Sequence, residues 1–542
     1  MPILELHEKG KKIRIPFTPG PSVRDILDTT STRVRSGCNG NGACGLCKIR
    51  VESGDVNKPT AKEHYFIDET LQVNGVRLAC QILPTSDLSI EILSPAPKSE
   101  WRSLPAEYIF HRNDEFRIPE ITQNNINDDY RYLYGIAVDL GTTQISISLL
   151  SLRTGVRIAA RCGPNPQGEI GSDIMTRLIA ASASIACANE LSERVVRSIG
   201  EGICDIAHRE GIDLGRVVKI AIVGNTAMLA LLTKKNYTLL TRPETWMGTI
   251  DCIPEDTSAW NTMWEIPAGA VMEVLPPAGG FVGSDVLAGV LASGLTENSK
   301  PGLLIDFGTN SEIALWDGKA LTMTSAAGGP AFEGCGIRCG LPAEPGAIYR
   351  VRFNNDATEY QTIAGEEPRG ICGTGIVDLV AGLVRSQMLT EKGLFSPCYA
   401  DRGFVLTAGD SAFVLEKKDI DLFQRAKAAV GTGISILMNE AGISYHDLDR
   451  VFVGGTFGKA LDIVNASEIG LLPPVSPDRI ELCGNTALTG CELALLSPAS
   501  SDLLRRIGEH TKVINLAEYR YFDDIYLSNL YLRPLEDHET GR

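Results

Sequence analysis

No apolar run in this sequence reaches the ~18 residues that a membrane-crossing helix needs. The opening segment, MPILELHEKGKKIRI, lacks the apolar stretch and cleavage site of a secretory signal, so the chain is expected in the cytoplasm. Positive charge is also short: 51 lysines and arginines face 67 aspartates and glutamates, a net charge of −16. That balance argues against nucleic acid as the main partner and against docking on an anionic membrane. Disulfides are not expected either. Fourteen cysteines in a chain with no export signal read better as thiols or as ligands of a metal or cluster. What is present is ordinary globular material, 44% apolar and 22% charged. Its 542 residues exceed the roughly 250–300 at which one core stops growing, so two or more domains are expected.

Residues 3–18 alternate as two short strands about Lys9-Gly10-Lys11, a hairpin signal. PSVRDILDTT then predicts a helix with Ser22 as its N-cap, and CKIRVESG and DLSIEIL predict returning strands. Together, residues 1–95 suit a small α+β module of β-grasp type. Residues 96–131 are polar, contain proline and show no sustained period, which predicts a linker. From residue 132 the pattern changes to near-continuous apolar strands (YGIAVDL, VVKIAIVG, GLLIDFG, RVFVGG) alternating with helices, as in sheets covered on both faces. This part carries a weak repeat. The stretch 135–150 matches 302–316, and 217–232 matches 448–463, in the same order. Two related halves, 132–300 and 301–542 with a C-terminal tail, follow.

The loop SGCNGNGACGLCKIRVESGD spaces Cys38, Cys44 and Cys47 as C-x5-C-x2-C, and VRLACQIL supplies Cys80. Three thiolates from a loop and one from a distant strand are what a [2Fe–2S] cluster uses. Gly37, Gly40, Gly42 and Gly45 would let the backbone aim N–H groups at the sulfides. Four cysteines could instead hold zinc, but structural zinc usually takes C-x2–4-C pairs, and this set is three plus one. Cys335 and Cys339 form the other close pair, and small buried apolar residues are their expected role. The first gap is one residue longer than the plant-type C-x4-C-x2-C, and the set Cys38, Cys44, Cys47 and Cys80 resembles the adrenodoxin-like and fused variants of the [2Fe–2S] ferredoxin family.

Asp139-Leu-Gly141-Thr142-Thr143 and Asp306-Phe-Gly308-Thr309-Asn310 each end an apolar strand. A Gly-Thr turn there offers N–H groups and hydroxyls to phosphate oxygens, and the aspartate can hold Mg²⁺ through water. One such turn is common; two in a duplicated layout are far more specific. The arrangement resembles the actin, heat-shock-chaperone and sugar-kinase superfamily, a two-lobed α/β (ribonuclease H-like) fold that closes over ATP. The resemblance implies an adenosine contact at Gly454-Gly455 and a phosphate-facing helix start at Gly373-Thr374-Gly375. It also makes Asp285, in GFVGSD, a candidate for orienting the attacking water. Asp285 could equally be a carboxylate placed on a helix dipole, as could Asp173, and Glu312 competes for the same role.

A [2Fe–2S] module ahead of such an ATPase is similar to the reductive activators of corrinoid enzymes. AAGGPAFEG (326–334) and GFVGSD (280–285) also look like that family's signatures. The resemblance implies one-electron reduction of cobalt(II) to cobalt(I) in a corrinoid (cobalamin-binding) protein of a methyltransferase system, coupled to ATP hydrolysis with Mg²⁺. It further implies a low-potential electron donor, and a homodimer is compatible with the fold. The stretch 96–131 leaves no room for the extra domain of some members, and no cysteine follows residue 500 to build the [4Fe–4S] motifs of others. Activators of 2-hydroxyacyl-CoA dehydratases are a competing reading, but they use a cysteine in C-A-A-G-T-G where this chain has Ser325-Ala326-Ala327-Gly328-Gly329-Pro330. A small-molecule kinase fused to a ferredoxin and a redox sensor without ATPase activity are further alternatives.

Overall fold

The structure, a computed structural model, describes residues 1–8, 11–30, 32–34, 42, 45, 47–67, 69–95, 101–104, 133–171, 173–246, 248–334, 336–354, 357–407, 413–455, 457 and 459–537. Strands β1 (Ile3–Glu8), β2 (Lys11–Pro16), β3 (Lys48–Ser53), β4 (Val76–Leu78) and β5 (Leu88–Ile92) form one sheet in the order β2-β1-β5-β3-β4. The hairpin read from the sequence is β1–β2, and β5 returns parallel to β1 as in a β-grasp. Helix Val23–Asp28 starts where expected: the Ser22 hydroxyl accepts from the Asp25 N–H, and the Asp25 carboxylate accepts from the Ser22 N–H. Leu4, Leu6, Leu27, Ile49 and Ile90 close a core belonging to this domain alone.

The first lobe is a six-stranded sheet. Strands β6 (Arg102–Ser103), β7 (Tyr134–Leu140), β8 (Gln144–Ser151), β9 (Arg157–Pro164), β10 (Val217–Gly224) and β11 (Val271–Val274) run in the order β11-β10-β7-β8-β9-β6. The stretch 96–131 is thus not all connector, because β6 pairs with β9 from inside it. The reason is Trp101, 3% exposed, whose indole fills the space over two glycines. A Cβ at Gly163 or Gly202 would come within 2.9 Å or 2.8 Å of that ring.

The second lobe repeats the plan. Strands β12 (Gly302–Phe307), β13 (Ser311–Trp316) and β14 (Leu321–Ala326) form a meander. Two small sheets follow, β15 (Ala347–Asn354) with β16 (Ala357–Thr362) and β17 (Gly370–Ile371), then β18 (Phe404–Val405) with β19 (Val414–Leu415). Strands β20 (Arg450–Gly455), β21 (Ile480–Gly484) and β22 (Lys512–Val513) complete the order β21-β20-β12-β13-β14-β22. Strand β7 corresponds to β12 and β10 to β20, so both sequence matches fall on equivalent strands. The halves meet through helices Ser284–Ser293 and Thr486–Leu496, each following the outer parallel strand of its own lobe. Gly490 lets them cross closely, since a Cβ there would lie 1.9 Å from the Ala288 carbonyl oxygen.

The β-grasp domain rests on the first lobe through buried charge. Arg24 donates to Glu210 at 2.8 and 2.9 Å, and Arg33 donates to Asp205 at 2.9 Å. Arg161 reaches both acids, at 3.0 Å to Asp205 and 2.8 Å to Glu210, while Arg209 pairs with Asp28. Asp205 and Glu210 stand near the C-terminal end of helix Ile185–Glu210, where the dipole also favours cations. On the other side, Met1 lies against the Gly365 turn of the second lobe, so the domain touches both halves.

Candidate functional site

The two predicted phosphate loops meet. Asp139 and Asp306 sit one residue before the ends of β7 and β12, and each strand hands over to its Gly-Thr turn in the cleft between lobes. The Thr143 and Thr309 hydroxyls are 3.0 Å apart across that cleft. Gly141 is required by the turn itself: its N–H donates to the Gln144 carbonyl at 3.1 Å, and a Cβ would lie 2.6 Å from that oxygen. Behind the first loop, Asn165 donates to the Gly141 carbonyl at 2.9 Å, Arg177 to the Thr142 carbonyl at 2.8 Å, and Asn225 to the Thr142 hydroxyl at 2.9 Å.

Four carboxylates share the floor of the cleft. Burial raises Asp139 to about 6, although a 2.7 Å hydrogen bond from Asn485 opposes the shift. Burial, then the Asp139 charge, raises Asp285 to about 7. Asp306 and Glu312 are held well above the usual carboxylate range by burial and by the neighbouring carboxylates. Mutual repulsion of this kind fits a site built for positive charge. Among the described residues no three acidic, histidine or cysteine side chains converge as direct metal ligands. A cation held here would reach these carboxylates through water.

The repulsion has a measurable consequence. A carboxyl whose folded pKa is raised contributes stability at low pH that is lost as pH climbs through the folded value. For Asp285 the window runs from about 4, its unfolded value, to about 7. Asp285→Asn is therefore expected to raise the melting temperature more at pH 8 than at pH 5.5, read by thermal melts of the ligand-free protein. An equal shift at both values would show that Asp285 does not carry this charge.

The other sequence candidates fall into place unevenly. Asp285 opens helix Ser284–Ser293 inside the cleft, whereas Asp173 is used as an N-cap, accepting from the Thr176 N–H at 2.9 Å and its hydroxyl at 2.7 Å. Gly454 and Gly455 adjoin Asp306: a Cβ on Gly455 (φ +85) would sit 2.4 Å from the Asp306 Oδ1, and one on Gly454 would sit 3.5 Å from its Cγ. Gly373 and Gly375 begin helix Gly373–Arg385, but their bareness serves packing, since Cβ atoms there would meet the Phe332 and Ile348 carbonyls at 2.0 and 2.3 Å. Gly308 sits 3.1 Å, measured from a Cβ placed on it, from the Asn310 carbonyl in the tight second turn. Ser325, at the position where dehydratase activators carry a thiol, donates to Glu312 at 3.2 Å.

Asn225, Asn485, Arg177 and Glu333 also belong to the site, although none stands in a motif that marks it as a candidate. The first two had a signal, because the tetrapeptide GNTA occurs at 224–227 and again at 484–487, and each asparagine caps the helix behind it. Glu333 accepts from Thr309 at 2.8 Å and from Thr143 at 3.3 Å, and burial raises its carboxyl despite these two bonds.

In the β-grasp domain Cys47 and Cys80 come together, with their sulfurs 3.4 Å apart. The Cys47 thiol holds Cys80 down at about 6 against burial, helped by the Gln81 amide, the Gly42 N–H and the Arg24 charge. Gly42 (φ +72) and Gly45 (φ +67) have the left-handed backbone a curling loop needs. Side chains also close over both: a Cβ would meet Gln81 at 2.7 Å or Phe66 at 2.6 Å. Cys38, Cys44, Gly37 and Gly40 lie outside the described residues. Two convergent sulfurs, one biased toward thiolate and facing the Gly42 N–H, are chemistry that fits an iron–sulfur cluster.

Comparison with known proteins agrees along the chain. Residues 6–85 match the family described as 2Fe-2S iron-sulfur cluster binding domain, 134–298 the RACo middle region, and 300–540 the C-terminal domain of RACo, the ASKHA domain. The corrinoid activation enzyme RamQ of Eubacterium limosum is 27% identical over 569 residues, covering 94% of this chain and 95% of the relative. The [Co(II) methylated amine-specific corrinoid protein] reductase of Methanosarcina barkeri is 26% identical over 434 residues, covering 73% and 77%. A solved reductive activator for corrinoid,iron-sulfur protein superposes with a TM-score of 0.66 at 24% identity, covering 100% of both chains, which shows the fold. None of the helices described is long and apolar enough to cross a membrane. A ferredoxin-type [2Fe–2S] domain followed by an actin, heat-shock-chaperone and sugar-kinase fold, matched to its family from residue 6 to residue 540, places this chain among the RACo-type reductive activators of corrinoid proteins.

Proposed function

We propose that this chain uses ATP, with Mg²⁺, to deliver one electron to cobalt(II) in the corrinoid protein of a methyltransferase system, leaving cobalt(I). The observation that carries the reading is the pairing in one chain of the Cys47–Cys80 site with a cleft where Thr143 and Thr309 of two phosphate loops touch. Cys38, Cys44, Cys47 and Cys80 would hold a [2Fe–2S] cluster, which would supply a one-electron carrier between a low-potential donor and the corrinoid protein. The chain's own residues do the rest. The loops at 141–143 and 308–310 bind phosphate oxygens; Asp139 and Asp306 hold the cation's water shell; Asp285 orients the attacking water.

Energy explains why ATP is needed. Plant-type clusters lie near −400 mV, above the potential of a corrinoid cobalt(II). An uphill gap of about 200 mV costs about 4.6 kcal/mol for one electron. Closure of the two lobes on nucleotide can offset that if closure favours the reduced cobalt state. The test mixes the dithionite-reduced chain with a corrinoid protein of this class and follows cobalt(I) absorbance. A several-fold higher yield with Mg-ATP is expected. Equal yields with and without it would remove the coupling.

A further inference from the structure

Glu333 ends the short turn Pro330–Glu333, and the glycine after it is fixed in the left-handed region at φ +78, with no room for a Cβ against the Leu341 backbone. Phe332, beside it, packs edge-on against Phe307 with ring centroids 5.7 Å apart, which ties the turn to the strand carrying Asp306. From this anchored position one carboxylate oxygen bonds to threonines of both phosphate loops, at 2.8 Å to Thr309 and 3.3 Å to Thr143. The two hydroxyls are themselves 3.0 Å apart. Glu333 thus joins the lobes at the point where the loops meet.

Each threonine hydroxyl carries a single proton to donate. A phosphate oxygen lodged between the loops needs those same protons, and it is an anion, as the carboxylate is. Both cannot hold the hydroxyls together without like-charge repulsion in a buried cleft. We propose that Glu333 is a positioning residue that competes with the terminal phosphate of ATP for Thr143 and Thr309, so that binding of a triphosphate must displace it. This rests on the reading of the cleft as an ATP site. The displaced carboxylate makes the cleft distinguish nucleotides: ADP, lacking the terminal phosphate, leaves the Glu333 bonds in place. The chain therefore holds ATP less tightly than its loops alone would allow, and the resulting selectivity for the diphosphate belongs to one side chain.

The experiment measures dissociation constants for a non-hydrolysable β,γ-imido triphosphate and for ADP, each with Mg²⁺, on the full chain with its cluster. E333Q is expected to bind the triphosphate about tenfold more tightly, the factor that 1.4 kcal/mol represents, with ADP affinity changed less than twofold. E333D keeps the charge but is one methylene short of the two hydroxyls, so it is expected to tighten triphosphate binding by a smaller factor. It also supplies the answer should E333Q fail to fold. Triphosphate affinity that is unchanged or weaker in both variants, or ADP affinity that moves as much, overturns the competition while leaving the ATP site in place. Failure of the unaltered chain to bind either nucleotide overturns the ATP reading itself, and the competition with it.

Discussion

Asp306→Ala is expected to abolish ATP-dependent cobalt reduction while leaving the cluster spectrum unchanged. Its carboxylate sits under Gly454 and Gly455, within the buried acidic group that includes Asp139, Asp285 and Glu312. Removing a group that positions a cation on a transferring phosphate costs roughly 10²–10³ in turnover, as losses of comparable preorganised electrostatic contacts do. Stability should not fall with it, because the alanine removes the carboxylate that Asp285 and Asp139 repel and relieves repulsion on Glu312. Cys47 and Cys80 belong to the separate core built on Leu4, Leu6, Ile49 and Ile90, so the cysteine site has no reason to respond. Two readings of one preparation check this: the visible absorbance of the cluster and phosphate release with the corrinoid partner present. Retained ATP turnover would remove Asp306 from the site. A lost spectrum would show that the domains are not independent.

The contrast between what was and was not legible in the sequence follows from how local each signal is. Ser22 followed by Asp25, or a strand ending in Asp-x-Gly-Thr, is complete within a few residues, and the structure finds each where the pattern puts it. The duplication was legible for the same reason: YGIAVDL and GLLIDFG are the central strands of two equivalent sheets. Strand β6 was not, because two residues carry no period, and the anchor that explains it, Trp101, finds its partners only at Gly163 and Gly202. Arg24 and Asp28 stand one helical turn apart, and nothing local in the sequence marks them as buried. Their burial depends on Glu210 and Arg209, whose position only the folded chain reveals. The role of Glu333 is equally non-local, since its partners come from two loops in opposite lobes. Sequence motifs thus pointed to the two loops and to the Cys47–Cys80 pair, while the contacts that connect lobes and domains needed coordinates.

The second large effect is expected from Asp205→Ala. Asp205 accepts from Arg33 of the β-grasp domain at 2.9 Å and from Arg161 of the first lobe at 3.0 Å, and the three side chains are almost fully buried. Removing one member of a buried ion group leaves uncompensated charge, a loss of about 3–5 kcal/mol. Here two guanidiniums lose their shared partner at once. The chain can relieve one of them by releasing the β-grasp domain, which returns Arg33 to water while its own core stays intact. The expected result is undocking rather than global unfolding, with docking weakened on the order of 10³-fold for a loss near 4 kcal/mol. It is read as faster proteolysis at the junction 96–104 with the cluster absorbance retained. Glu91→Ala is the control: it breaks the exposed Arg50–Glu91 pair in the same domain and should cost no more than about 1 kcal/mol. A combined Arg33→Met, Arg161→Met and Asp205→Leu chain separates charge from shape, because Glu210, which loses Arg161, keeps its bonds from Arg24, and apolar replacement of buried ion partners together is often neutral. Docking restored in that triple variant would show that the acid holds the domain by satisfying the arginines. If proteolysis of Asp205→Ala matches that of the unaltered chain, the buried network does not hold the two domains together.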